Sequence, residues 1–250
     1  MDMNEQQLSQ LDIRLLPGRS IPPKSRALTG QVSLRDGTSA PFESSLERDA
    51  LIRLDFDVAG RTIRSQPFTI EYLVEGRARR YTPDILVEFC EHEITPVTVI
   101  EVKPKAVLEE RWAEFEIRFK VVRELCRRNK WNFEILTEDH ILRDSFVQNA
   151  TFLRKYIDLP VDPARALMLL QVLIEVENGT PNQLLVQAFR SPETRPNAMW
   201  ILWTLVANKV IGFDMSNPLN MNVTSLQLID MNAVKKIQEA VNQSKDEVYL

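Results

Sequence analysis

Cysteine and histidine are scarce in this chain, which holds two of each in 250 residues. Four such residues are a poor basis for a structural zinc site. Cys90 and Cys126 read as reduced thiols of a cytosolic protein, not as a disulfide scaffold. His92 and His140 have no triad partner or metal pair in the sequence and read as surface or cap residues. No apolar run approaches the roughly 18 residues of a membrane span. The opening residues, Met1 to Gln7, are polar and acidic and do not read as a signal peptide. Internal repeats and low-complexity segments are also missing. Nor is there an excess of positive charge: the net charge is −4, so the chain as a whole does not advertise nucleic-acid binding.

What is present is ordinary in bulk and uneven in detail. Charged residues make up 26% and hydrophobic residues 44%, which suits one large soluble domain, or one with a smaller companion. Basic residues cluster locally. Arg14, Arg19, Lys24, Arg26 and Arg35 lie in a stretch with no acidic residue, and Arg118, Lys120, Arg123, Arg127, Arg128 and Lys130 surround a single Glu124. Such clusters suit phosphate contact, with a solvated arm and helix face as the plainer alternative.

Turn signals at Pro17-Gly18, Pro22-Pro23 and Asp36-Gly37 make residues 1–40 an extended arm. Residues 43–54 read as an amphipathic helix, with Leu46, Ala50, Leu51 and Leu54 on one face. Ser44 with Glu47 fits a capping box. Three strands are expected next: Thr62–Val74, interrupted by Pro67; Arg79–Phe89; and Val97–Val102, stopped by Pro104. A long helix over 106–129 carries Trp112, Phe115, Phe119, Val122 and Cys126 at helical spacing, and a fourth strand at 131–136 and a helix after Thr137 follow. A strand directly after a helix favours a crossover onto the same sheet. Beyond Leu159-Pro-Val-Asp-Pro163, three helices (164–178, 181–189, 195–208) precede a hairpin formed by residues 210–215 and 221–226. This outline fits a winged helix, or else a plain helical bundle. Trp200 and Trp203 are most simply core. The domains expected are therefore an arm (1–40), an α/β domain (41–158) and a mostly helical winged-helix-like domain (159–250).

The chemistry concentrates in two strings, Tyr81-Thr-Pro83-Asp84 and Val99-Ile-Glu101-Val-Lys103. The strand period of two puts Glu101 and Lys103 on one face. Asp84 opens another apolar run and can meet them across a sheet. Carboxylates next to a lysine suit Mg²⁺ or Mn²⁺ and hydrolysis of a phosphodiester. The Val102 carbonyl is a candidate third ligand. Glu47, one turn into its helix, is a further candidate ligand, directly or through water. Lys103 is placed to orient or deprotonate the attacking water, whereas Gln66 reads first as structural. The duller alternatives are an exposed Glu101–Lys103 pair on an edge strand, a turn cap at Asp84, and a purely capping Glu47. Lys105, separated from Lys103 by Pro104, is a candidate phosphate contact.

Glu47 on the first helix, Asp84 after proline, and Glu101-Val-Lys103 ending the next strand together resemble the PD-(D/E)xK nuclease pattern. The wider set is Phe42-Glu-Ser-Ser-Leu-Glu47-Arg-Asp, Ser65-Gln66-Pro67, Arg80-Tyr-Thr-Pro-Asp84 and Glu101-Val-Lys-Pro-Lys105. It resembles the N-terminal domain of the TnsA endonucleases over roughly residues 20–140, and the tail resembles the TnsA C-terminal domain less specifically. Some members carry Gln where this chain has Glu101. The resemblance implies a restriction-endonuclease-like core followed by a winged helix, and catalysis by Glu47, Asp84, Glu101 and Lys103 with Gln66, at the family's Gln-Pro pair, in support. It also implies cleavage of the 5′ ends of a transposon in a prokaryotic cytoplasm, beside a TnsB-like transposase and a TnsC-like AAA+ ATPase. In residues 159–250 acidic residues outnumber basic ones, which favours protein contact over base reading there. The competing expectations are a stand-alone restriction or repair nuclease, and a catalytically silent assembly subunit.

Overall fold

A computed structural model describes residues 8, 11–18, 28–57, 61–74, 76–89 and 97–246. Its contacts divide the chain into two units, Met1–Arg143 and Asp144–Leu250. Each is mixed in secondary structure, and the described residues hold eight α-helices in all.

The first unit contains strands β1 (Ile13–Pro17), β2 (Gly30–Ser33) and β3 (Ser39–Phe42), helix α1 (Ser45–Asp57), and strands β4 (Arg61–Ser65), β5 (Phe68–Val74), β6 (Arg77–Tyr81), β7 (Ile85–Phe89) and β8 (Thr98–Val102). Helix α2 (Lys105–Asn129), strand β9 (Asn132–Leu136) and helix α3 (Glu138–Ile141) complete it. The arm is not merely extended. β1 pairs antiparallel with β5, and β2 with β3, so the segment before residue 40 enters two sheets. Bare periodicity missed this because a strand at a sheet edge takes its order from its partner.

Two of the three expected strands are each broken by a proline. Thr62–Val74 becomes β4 and β5, separated at Gln66-Pro67, and Arg79–Phe89 becomes β6 and β7, separated at Thr82-Pro83-Asp84. Proline cannot donate to a ladder, so pairing stops there and the chain changes partner. On one side of the breaks lies the antiparallel sheet β1-β5-β6. On the other lies the sheet β4-β7-β8-β9. In this second sheet β4, β7 and β8 run antiparallel in turn, while β8 and β9 are parallel and joined through α2, since parallel neighbours need a long crossover. The two breaks are tied together: the Gln66 amide donates to the Asp84 carbonyl at 2.8 Å, and the Thr69 and Thr82 hydroxyls are 2.8 Å apart.

The core of this unit joins Phe68, Ile70, Tyr72 and Tyr81 of one sheet to Leu86 and Val99 of the other, under Val121, Val122, Leu125 and Cys126 of α2. Of the aromatic stripe expected on α2, Phe115 and Phe119 are buried, but Trp112 is 43% exposed. The helix kinks at Arg111, one residue before Trp112, whose ring still meets Phe119 edge-on at 5.9 Å. On α1, Ala50 and Leu51 are buried, as expected.

The second unit starts earlier than the sequence suggested. Helix α4 (Phe146–Leu153), which lies before the expected boundary at 158, belongs to it. There Phe152 meets Trp203 edge-on at 5.5 Å. Helices α5 (Pro163–Val176), α6 (Pro181–Ala188) and α7 (Arg195–Ala207) follow, close to their expected bounds, and α8 (Met231–Asp246) ends the unit. Trp203 is core and Trp200 is half-buried. The hairpin is shorter than expected, Ile211–Gly212 (β11) against Leu226–Leu228 (β12). A third short strand, Asn178–Gly179 (β10), pairs with β12 on its other side. Two residues carry no periodicity, so β10 reads in sequence only as a turn between helices.

Candidate active site

The register of the second sheet builds the site. Ile85 of β7 pairs with Ile100 of β8, so the next step outward sets Asp84 opposite Glu101. β8 is an interior strand and buried throughout, which removes the reading of Glu101 and Lys103 as an edge pair. Asp84 is not a simple turn cap either: its Oδ2 accepts the Val102 N–H at 2.8 Å and the Lys103 ammonium at 3.1 Å.

Lys103 Nζ is held by three oxygens. They are Asp84 Oδ2 (3.1 Å), Glu101 Oε1 (2.9 Å) and the Val102 carbonyl (3.0 Å). These are the three ligands expected for a dication, gathered around one ammonium. The second oxygen of Glu101, Oε2, accepts a hydrogen bond from the Tyr81 hydroxyl. Glu101 is only 2% exposed. Burial, then the charge of Asp84, push its carboxyl up to about 7, against the pull of Lys103 and Tyr81. Burial alone lowers a lysine, but Asp84 and Glu101 outweigh it and hold Lys103 above the usual lysine range. That favours the protonated, hydrogen-bond-donating form of Lys103. Burial, then Glu101, hold the Tyr81 phenol well above its ordinary value, so it stays a donor.

Glu47 approaches from α1. Its Oε2 accepts the Glu43 N–H at 2.8 Å and its Oε1 the Ser44 hydroxyl at 3.1 Å, while the Glu47 N–H donates to Ser44 Oγ at 3.1 Å. This is a capping box shifted one residue at its backbone end. Burial, then the charge of Asp84, raise the Glu47 carboxyl, so cap and cleft compete for the same group.

These side chains share one open cleft of about 620 Å³, lined by Glu47, Tyr81, Asp84, Glu101 and Lys103 and walled by Leu16, Pro17, Thr69, Arg80 and Arg118. The arm thus reaches the site. A Cβ on Gly18 would meet the Gln66 carbonyl at 2.2 Å, so only glycine lets the chain pass this close.

The remaining sequence candidates scatter. Arg118 lines the cleft with its guanidinium 5.0 Å over the Phe115 ring. Gln66 is buried behind the cleft at a left-handed φ of 46° and contributes its backbone to Asp84. Lys105 is exposed and pairs with Asp139 at 2.8 Å, away from the cleft lining. Lys120 pairs with Glu116 at 2.9 Å and Arg14 with Asp12 at 3.2 Å. Arg19, Lys24, Arg26, Cys90 and His92 lie outside the described residues. His140 is a cap, as expected, bonded to Thr137. Sequence reasoning missed the role of Tyr81, although the residue stands three places before Asp84; a buried phenol beside a carboxylate shows only once two sheets meet.

Among the described residues no three His, Cys, Asp or Glu side chains form a ready metal cage. The donor set nonetheless fits a hard dication, because its third oxygen is a backbone carbonyl and the cluster already encloses a cationic group. Asp84, Glu101 and Val102 are the residues able to hold one, with Glu47 at the rim. No described helix is long and apolar enough to cross a membrane.

No curated protein matches this sequence at a significant level. Residues 61–138 match the family model described as the TnsA-like endonuclease N-terminal domain. Asp84, Glu101 and Lys103 fall inside that stretch, which is similar to the TnsA-like endonucleases, and Glu47 falls outside it.

Proposed function

We propose that this protein is a Mg²⁺- or Mn²⁺-dependent DNA endonuclease of TnsA type, cleaving the 5′ ends of a transposon by attack of water on the phosphodiester. The observation that carries this reading is the convergence of Asp84, Glu101 and the Val102 carbonyl on one cationic position in an open cleft. A dication held there would lower the pKa of water and stabilise charge on the phosphate. Asp84 is locked for ligation by the Val102 N–H. Lys103 offers a charged donor to a phosphate oxygen or to the attacking water, and Arg118 and Arg80 supply further positive charge on the cleft wall for the DNA backbone. Glu47, which lines the same cleft, is the further candidate to contact the dication through water.

The fold reading goes with it. β4-β7-β8-β9 with α1 and α2 supports a restriction-endonuclease-like core. In the second unit the order α5, β10, α6, α7, β11, β12 supports a winged helix, with β12 central to its small sheet. A TnsB-like transposase would handle the 3′ ends, and a TnsC-like AAA+ ATPase would dock on the C-terminal unit.

The test is cleavage of DNA carrying transposon ends, with Mg²⁺, in the presence and absence of the partner transposase. Asp84→Ala and Lys103→Ala should each abolish 5′-end cleavage while far-UV circular dichroism stays native. Wild-type rates in either variant refute the assignment. Cleavage by the protein alone at a defined sequence would point to a self-sufficient nuclease.

A further inference from the structure

The strand break that delivers Asp84 also delivers a second group to the site. Tyr81 ends β6 and Asp84 opens β7, so Tyr81-Thr82-Pro83-Asp84 is the step from one sheet to the other. Thr82 pins the step to β5 through Thr69, and the Asp84 carbonyl is pinned to Gln66. The Tyr81 ring is packed with Ile70, Leu86 and Val99, so its hydroxyl has little freedom. That hydroxyl donates to Glu101 Oε2, while Glu101 Oε1 turns to Lys103. A glutamate has three rotatable bonds, and the buried strand alone does not choose among its rotamers. The tyrosine hydroxyl makes that choice.

We propose that Tyr81 is a positioning residue: its hydroxyl holds Oε2 of Glu101 so that Oε1 faces the cleft, and one four-residue step therefore sets both carboxylates of the site. The inference rests on the endonuclease reading. Partners that orient a ligating carboxylate commonly govern metal affinity by about 10–100-fold.

The experiment is calorimetric titration of the full chain with Mn²⁺, together with cleavage kinetics. Tyr81→Phe keeps the ring in the core and removes the hydroxyl. It should weaken Mn²⁺ binding by about 10–100-fold and lower kcat with KM for DNA unchanged. Tyr72→Phe, a matched change in the same sheet, should leave Mn²⁺ affinity as in wild type. In a Glu101→Asp background, whose shorter side chain withdraws from the hydroxyl, Tyr81→Phe should cost nothing further, whereas a merely structural cost would persist. Unchanged Mn²⁺ affinity in Tyr81→Phe, with binding lost in Asp84→Ala, overturns this inference and leaves the endonuclease reading standing. A wild-type chain with no Asp84-dependent Mn²⁺ binding overturns both.

Discussion

Burial of Glu101 beside the charge of Asp84 has a consequence in pH. Glu101 has a carboxyl raised to about 7 in the fold from an ordinary 4.5. The folded state then binds more protons than the unfolded one between those values, so stability falls as pH rises through this window and is lowest above it. Thermal melts of the metal-free protein should show this decline from about pH 4.5 to about pH 7, and Glu101→Gln should flatten it. A slope unaffected by Glu101→Gln would mean that the carboxylate is already ionised by local partners. Glu47 answers to two demands, since its oxygens cap α1 while its charge faces Asp84. Glu47→Gln should cost about 0.5–2 kcal/mol through the cap, measured by urea unfolding, and should slow cleavage by more than that loss of folded protein explains.

Elements place these residues, and their ends are set by individual side chains. Pro67 and Pro83 end ladder pairing and let two strands pass between sheets. A continuous strand at either place would carry Asp84 away from Glu101. Helix α2 is fastened at its far end. The side chain of Glu124 is 8% exposed and meets Arg127 at 2.7 Å and Arg128 at 2.8 Å. Hydrogen bonds to Arg127, then to Arg128, hold its carboxyl down at about 2. Arg128 also donates to the Leu8 and Leu11 carbonyls at 3.0 and 3.1 Å, tying the arm to the helix. Glu124→Gln should therefore destabilise by about 1–3 kcal/mol and speed amide exchange in β1, the strand that carries Leu16 and Pro17 to the cleft. Unaltered exchange in residues 13–16 would show that β1 is held by β5 alone.

At the scale of the molecule, each unit has a core of its own. The first gathers around Phe119, Leu51 and Ile70, the second around Leu169, Leu170, Leu184 and Ile201, all of them fully buried. The second also depends on a polar residue. Asn149, 4% exposed, donates to the Met215 and Asn217 carbonyls at 3.0 and 2.8 Å and accepts the Leu219 N–H at 3.3 Å. It closes the long connection between β11 and β12. Asn149→Ala leaves these backbone groups unpaired. It should cost about 1–3 kcal/mol or more, with faster amide exchange over 215–219 as the local signature.

All the described helices but α4 and α8, and the strings that hold the candidate site residues, were readable from residues alone. Period-3.6 stripes marked α1 and α2, glycine and proline signals bounded α5, α6 and α7, and Asp84, Glu101 and Lys103 stood out by spacing, because a strand's alternation and a proline's missing N–H act over a few residues. The strands of the arm, the two-residue β10, the boundary ahead of α4, and the partnership of Tyr81 with Glu101 came only with tertiary structure. Each of them joins groups distant in the chain, whose attraction exists only after two surfaces have met and expelled the water between them.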